Sequence, residues 1–283
     1  MIKNEVFYKK ESAKIRILVL KMLKKTGYGH IGGSLSIVEV LSVLYGSYLN
    51  YDSTNPSWSD RDYVLLSKGH SGPGWYSALA NFGFFDESLL YTLNAGGTNL
   101  PSHPDMYKTP GVDFTTGSLG QGISVAAGIG YGLKLNGSSQ KAVVIVGDGE
   151  LNEGQCWEAL QFIAHHKLNN VKVFIDNNKK QLDGYTSEIL NTFELSKKLE
   201  AFGFYVEEVP GDNEIAIANS LKRTDKIKNK AVCIILDSIK GQGVPYFENM
   251  LFNHSVNFNE KDNEEIDNAI SRLENWLNEV GEN

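Results

Sequence analysis

The sequence predicts an α/β fold: a doubly wound, mainly parallel sheet with helices on both faces. Three features predict it. Short β-branched or aromatic runs at 63–66, 143–146, 171–175, 205–209 and 232–236 have the length and composition of strands. The last four are separated by segments of helical length at 152–167, 194–202 and 214–223, and such alternation yields parallel strands joined by crossovers. Most of the runs, at 63–66, 143–146 and 232–236 above all, are continuously apolar rather than alternating, which fits a sheet covered on both sides.

Ahead of the sheet, Ile15, Leu18, Val19, Met22 and Leu23 follow the i, i+3, i+4 spacing of a half-buried helix. Ile37, Val40, Leu41, Leu44, Tyr45 and Tyr48 repeat that spacing, and Ser36 with Glu39 reads as a capping box at the start of the second helix. The glycine-rich loop 27–33 between them is a candidate binding loop. A second glycine-rich stretch, 115–122, leads into a small-residue helix at 123–135. Its Gly128, Gly130 and Gly132 each cost roughly 1 kcal/mol of helix propensity, so close packing is expected to require them. Ile266, Ile270, Leu273 and Leu277 mark a terminal amphipathic helix at about 262–279. The expected organisation is one domain, 1–283.

Composition narrows the function. With 27 Lys+Arg against 34 Asp+Glu, the net charge of −7 argues against a general nucleic-acid binder. The longest apolar runs fall far short of the ~20 residues that cross a bilayer, and no export leader is evident. Cys156 and Cys233 lie in apolar surroundings without a CxxC pattern, as buried thiols of a reducing compartment would. The expectation is a cytoplasmic protein with no nucleic-acid or membrane partner.

Ligands of open parallel sheets bind beyond the carboxyl ends of the strands. The run 143–146 ends in Gly147-Asp148-Gly149, and 171–175 ends in Asp176-Asn177-Asn178. If the two strands are neighbours, Asp148 and one of the asparagines share a crevice and offer oxygen ligands to a hard cation such as Mg²⁺. Magnesium with so few protein ligands fills its shell with water and phosphate, so a diphosphate is the expected guest. Either tripeptide alone is ordinary turn chemistry; both at consecutive strand ends make a candidate site. No dinucleotide fingerprint is present, because Asn152 stands where G-x-G-x-x-G needs glycine, and no Walker A sequence occurs. His30, His70, His103 and His254 lie in loops beside glycine, proline or turn residues, where they can donate hydrogen bonds or carry protons for a phosphate or hydroxyl-rich ligand. His165 and His166, late in a predicted helix, are explained by favourable end effects on a surface.

These pieces together resemble the thiamine-diphosphate enzymes, specifically the amino-terminal, diphosphate-binding half of transketolase, from about Ala13 to His254. The likeness rests on Gly147-Asp148-Gly149 with Asn178, Gly29-His30, Ser67-Lys68-Gly69-His70-Ser71, Pro101-Ser102-His103-Pro104, the stretch 115–122 and Lys240-Gly241-Gln242-Gly243. It implies the thiamine-diphosphate-binding fold. It implies that Asp148, Asn178 and the Lys180 backbone carbonyl hold Mg²⁺, and that Gly149, His70, Lys240 and His254 contact the diphosphate. Gly117 and Leu119 match positions whose backbone touches the aminopyrimidine and thiazolium. His30, His103 and His254 would serve catalysis, His30 and His103 facing the sugar. Glu153 and Glu158 match acidic residues between active sites, or are plain carboxylates at a helix N-terminus.

The implied activity is transfer of a two-carbon ketol unit from a ketose phosphate to an aldose phosphate, as in the pentose phosphate pathway. Three departures stand out. The family's Gly-His-Pro is Gly29-His30-Ile31, its Trp-His-Gly is Asn253-His254-Ser255, and the chain stops after the first of the family's domains. No segment resembles the pyrimidine domain with its activating glutamate. The resemblance therefore implies a partner, the C-terminal transketolase subunit, joined to a homodimer of this chain in a heterotetramer. Only four arginines occur, Arg16, Arg61, Arg223 and Arg272, and none is in a candidate loop, which places recognition of the substrate phosphate on that partner. A related two-carbon transferase, one chain of a ketoacid decarboxylase and a non-catalytic cofactor-binding protein remain alternatives; His30 and His103 favour sugars.

Overall fold

In a computed structural model describing residues 2–281, the helices are α1 (Glu5–Thr26), α2 (Ile31–Leu35), α3 (Val38–Val43), α4 (Gly72–Asn81), α5 (Gln121–Leu135), α6 (Gly154–His165), α7 (Thr186–Ile189), α8 (Leu195–Phe202), α9 (Glu214–Thr224), α10 (Pro245–Asn249) and α11 (Glu260–Gly281). The strands are β1 (Tyr28–Gly29), β2 (Tyr63–Leu66), β3 (Ala142–Gly147), β4 (Val171–Asn177), β5 (Tyr205–Pro210), β6 (Val232–Asp237) and β7 (Val256–Asn257). The expected domain limits at 1 and 283 lie outside the described residues.

Each of the five expected sheet strands forms, and they assemble in the order β2-β3-β4-β6-β5 with every pair parallel. The continuous apolar runs have the expected cause. Val143, Ile145, Phe174 and Ile234 face one buried cluster, shared with α1, α3, α4 and α9, while Val144, Val146, Val173 and Ile235 face a second under α5, α6 and α8. Both faces are covered. The edge strand β5 is only partly buried and accordingly carries Glu207 and Glu208.

α1 runs from an Asn4 cap, whose side chain accepts from the Phe7 N–H, to Gly27, and Lys24 and Lys25 in its last turn oppose the C-terminal dipole. The second helix departs from expectation. Residues 31–48 have the length and composition of a membrane span, yet they are mostly buried as core and divide into α2, α3 and a π-helical turn at Leu44–Tyr48. Nor does Ser36–Glu39 form a capping box. The Ser36 hydroxyl donates instead to the Gly33 carbonyl and to Asp176, and Glu39 is taken by buried Arg16 and by Gln242. Tertiary partners outcompete the local cap.

Among the helical glycines, Gly130 is required: a Cβ there would lie 2.1 Å from Val171 on β4. Gly128 and Gly132 meet nothing within 4 Å, so packing within this chain accounts for one of the three. Cys156 and Cys233 are buried free thiols, and burial pushes their pKa values up. The terminal helix forms as α11 and packs on α1 through Ile266, Ala269 and Ile270.

Candidate functional site

β3 and β4 are hydrogen-bonded neighbours, with Gly147 opposite Asp176. Their carboxyl ends therefore deliver Asp148 and Asn178 to one rim. Asp148 is 2% exposed; its carboxylate accepts from the Gly149 N–H at 2.8 Å and the Lys179 N–H at 2.7 Å. Burial pushes its pKa up to about 7, with the nearby Asp176 charge adding to the rise against those two amides and Lys240. A carboxyl held this way gains from a cation beside it. The Asn178 carbonyl oxygen accepts from the Lys180 N–H at 3.2 Å, and its amide donates to Asp176 at 2.8 Å. The Lys180 backbone carbonyl lies close by, at 3.1 Å from Lys240 Nζ.

Four loops bring the histidines onto this rim. His70 follows β2, His30 follows β1, His103 sits in the loop ahead of α5, and His254 precedes β7. His30 is the hub, with ring centroids 5.7 Å from His70, 5.9 Å from His103 and 5.4 Å from His254, while His70 and His254 are 4.5 Å apart. A two-residue ladder, Gly29 opposite Val256, fastens the His30 loop to the segment after His254. Lys240 Nζ reaches His254 Nδ1 at 3.0 Å and also donates to the Lys180 and Gln181 carbonyls. Because an ammonium only donates, Nδ1 accepts and the neutral ring carries its proton on Nε2.

The electrostatics favour an anion. Burial lowers Lys240 to about 8, and the neighbouring Lys68 charge adds to that effect against Asp148 and Asp176. Burial likewise drops His30 to about 4 and His254 to about 3, with Lys240 contributing to both, and pushes His70 and His103 down. Cationic and donor groups thus face each other at a cost that a bound polyanion would relieve. Beside them Ser71 Oγ, Thr116 Oγ1 and Asn253 Oδ1 are buried without a hydrogen-bond partner, which is the condition of a cradle awaiting a polar guest.

Gly117, at φ 150°, lies against the His103 ring; a Cβ there would meet that ring at 3.2 Å. The Leu119 carbonyl accepts from Gln155 at 2.6 Å, and Gly149 packs on Gln181. The sequence-predicted residues therefore converge, whereas Glu153 and Glu158 lie exposed outside the cluster, as do Leu182 and Phe193 on the segment after Asn178. None of the four arginines is among the residues that meet at the rim, although Arg16 and Arg272 brace the 240–243 loop from behind through the Gln242 and Gly243 carbonyls. Arg16, Arg61 and Arg223 pair with Glu39, Asp113 and Glu207, and Arg272 donates to the Gly243 carbonyl.

Sequence reasoning missed the buried charges beneath the rim. Lys68 and Asp176, with side chains 1% and 0% exposed, pair at 2.5 Å. Asp176 also accepts from Ser36, Asn178 and Ser238. Asn253 ties Lys240 and Phe247 together through their carbonyls. The only signal available was position: Lys68 and Asp176 sit inside motifs already singled out for His70 and Asn178.

The profile of the family described as "Transketolase, thiamine diphosphate binding domain" matches residues 8–273. The chain belongs to the transketolase family. Its cofactor is accordingly thiamine diphosphate, and the cationic donors described above fit its diphosphate as the acid, amide and carbonyl oxygens fit a divalent ion beside it. Among transketolase relatives, it is 42% identical to the 6-deoxy-6-sulfo-D-fructose transketolase subunit SqwG of a Clostridium species over 92% of this chain and 95% of that one. It is 39% identical to an apulose-4-phosphate transketolase subunit from Actinobacillus succinogenes, over 87% and 88% of the two chains. The solved transketolase of Campylobacter jejuni superposes with a TM-score of 0.85 at 26% identity, covering 99% of this chain but 47% of that one. The chain thus spans about half of that transketolase and nearly all of the two relatives named as subunits.

Proposed function

We propose that this chain is the cofactor-binding subunit of a two-chain transketolase, which moves a two-carbon ketol unit from an anionic ketose to an aldose phosphate. The observation that carries this reading is the convergence of Asp148, Asn178, His70, Lys240 and His254 with the outer histidines His30 and His103 on one rim. Asp148, Asn178 and the Lys180 carbonyl are assigned to Mg²⁺. Gly149, His70, Lys240 and His254 are assigned to the diphosphate, and Gly117 and Leu119 to the rings of the cofactor.

Bound thiamine diphosphate supplies the carbanion chemistry that breaks and remakes the C–C bond. The chain's own residues bind, orient and exchange protons. His30 and His103, held neutral at pH 7, each offer one nitrogen that donates and one that accepts, so either can hydrogen-bond a sugar hydroxyl or pass its proton. His254, fixed by Lys240, presents its Nε2–H. The anionic end of the substrate is left to a companion chain, since no arginine of this subunit reaches the rim. The relatives named for a sulfonated ketose and for apulose 4-phosphate support an anionic sugar and leave the kind of anion to that companion.

The test is reconstitution. Supplied with thiamine diphosphate, Mg²⁺, a ketose phosphate or sulfonate and an aldose phosphate, the chain alone should show no turnover. Addition of a polypeptide carrying the pyrimidine domain should restore it. Full activity of the chain by itself would reject the two-chain reading.

A further inference from the structure

Glu150 is 3% exposed, yet its carboxylate is directed into the protein between three chain segments. One oxygen accepts from the Ser67 hydroxyl at 2.5 Å and from the Gly120 N–H at 2.7 Å. The other accepts from the Gly147 N–H at 3.0 Å. Ser67 Oγ in turn accepts from the Ile123 N–H at 3.1 Å, so the carboxylate and its hydroxyl relay together satisfy two of the unpaired amides that open α5. A negative charge there also complements the positive end of that helix.

Each segment leads directly into the site. Ser67 directly follows β2, three residues before His70, Gly147 ends β3 immediately before Asp148, and Gly120 follows Gly117 and Leu119. The contacts around the carboxylate leave little slack. A Cβ on Gly69 would lie 2.8 Å from the Gly117 nitrogen, and one on Gly122 would lie 2.6 Å from Ser67 Cα. Gly120 itself takes φ 79°, a left-handed geometry that glycine adopts freely, and places its N–H on Glu150.

We propose that Glu150 is a positioning residue: one buried carboxylate sets the 117–120 loop, the His70 turn and the Asp148 turn at the mutual distance thiamine diphosphate requires. The inference rests on the assignment of that cofactor to this rim. Glutamate is suited to the task because three donors converge on two acceptor oxygens. In Glu150→Gln the amide has one oxygen and two N–H donors, so at least one buried backbone N–H loses its acceptor and faces another donor. The loop should then loosen while the sheet stays intact.

Two readouts test this, in the chain assembled with its companion subunit. Hydrogen exchange followed by mass spectrometry, without cofactor, should show peptides spanning 116–124 exchanging at least tenfold faster in Glu150→Gln, with peptides from β4 and β6 unchanged. Calorimetric titration with thiamine diphosphate and Mg²⁺ should show affinity falling at least tenfold. Ser67→Ala removes one arm of the same cluster and should give a smaller loss of the same kind. Its effect should not add to that of Glu150→Gln in the double variant, and Ser67→Ala alone carries the test if Glu150→Gln does not fold. Failure of the wild-type assembly to bind the cofactor would instead defeat the underlying assignment. Wild-type binding together with unaltered exchange and affinity in these variants would overturn the role of Glu150.

Discussion

Replacing Lys68 by methionine isolates what the buried charges beneath the rim contribute. Its ammonium is almost wholly removed from water and lies 2.5 Å from Asp176 and 3.0 Å from the Gly33 carbonyl. Methionine retains most of the stem but leaves the Asp176 carboxylate buried without a countercharge. Breaking one side of such a pair costs about 3–5 kcal/mol, because the surviving charge is still desolvated. At ~2 °C per kcal/mol for a chain of this size, the melting temperature should fall by on the order of 6–10 °C. Removing the second charge as well, in Lys68→Met with Asp176→Leu, should recover part of that stability. Recovery is incomplete because Ser36, Ser238 and Asn178 then lose their common acceptor. Cofactor affinity should not recover at all, since Asn178 is oriented through Asp176. Urea and thermal denaturation with a calorimetric binding curve separate the two effects. A loss below 1 kcal/mol for Lys68→Met, or full recovery of binding in the double variant, would refute the reasoning.

Other consequences follow from the same geometry. Gly130→Ala drives a methyl group into Val171 and should destabilise the chain by about 1–3 kcal/mol; Gly128→Ala, facing open space on the same helix, should stabilise the isolated chain by about 0.4–1 kcal/mol in urea unfolding. His30 has a folded-state pKa of about 4 against an ordinary 6.5, so the unfolded state takes up its proton first and stability drains away as pH falls from about 6.5 to about 4. The stability of wild type relative to His30→Gln should therefore shrink across that window in denaturation curves, and a constant difference would contradict a neutral His30. Removing the ion with a chelator should abolish uptake of thiamine diphosphate by the assembled protein, as read by the loss of its binding isotherm.

The sheet was legible because a strand covered on both faces leaves a continuous apolar run, as in β2, β3, β4 and β6, while the edge strand β5 was marked by its aromatic and β-branched residues despite Glu207 and Glu208. The placement of Asp148 and Asn178 on one rim was legible for a related reason. Val146 and Ile175 mark where the apolar runs stop, so Asp148 and Asn178 come at the rim, just past the ends of β3 and β4, once those strands are adjacent. The histidines were legible only as loop residues; the approach of His30 to His254 depends on the β1–β7 ladder, whose two residues per strand carry no periodic signal. The capping box expected at Ser36 fails because local spacing cannot reveal that Asp176 and Arg16, far away in sequence, claim both partners. Glu150 looks like a polar turn residue beside Asp148. Its burial is decided by Ser67 and Gly120, remote donors that join the nearby Gly147 N–H and that no local pattern encodes.

In the proposed function Asp148 and Asn178, delivered by adjacent parallel strands, hold the ion through which the cofactor is bound. The most direct measurement is a calorimetric titration of thiamine diphosphate into the assembled enzyme at saturating Mg²⁺, comparing wild type with Asp148→Asn. A saturable isotherm is expected for wild type and at least a hundredfold weaker binding for the variant, measured at a temperature where both are folded, because the amide also leaves one of the Gly149 and Lys179 N–H donors without an acceptor. Equal affinity in the two proteins would contradict that role.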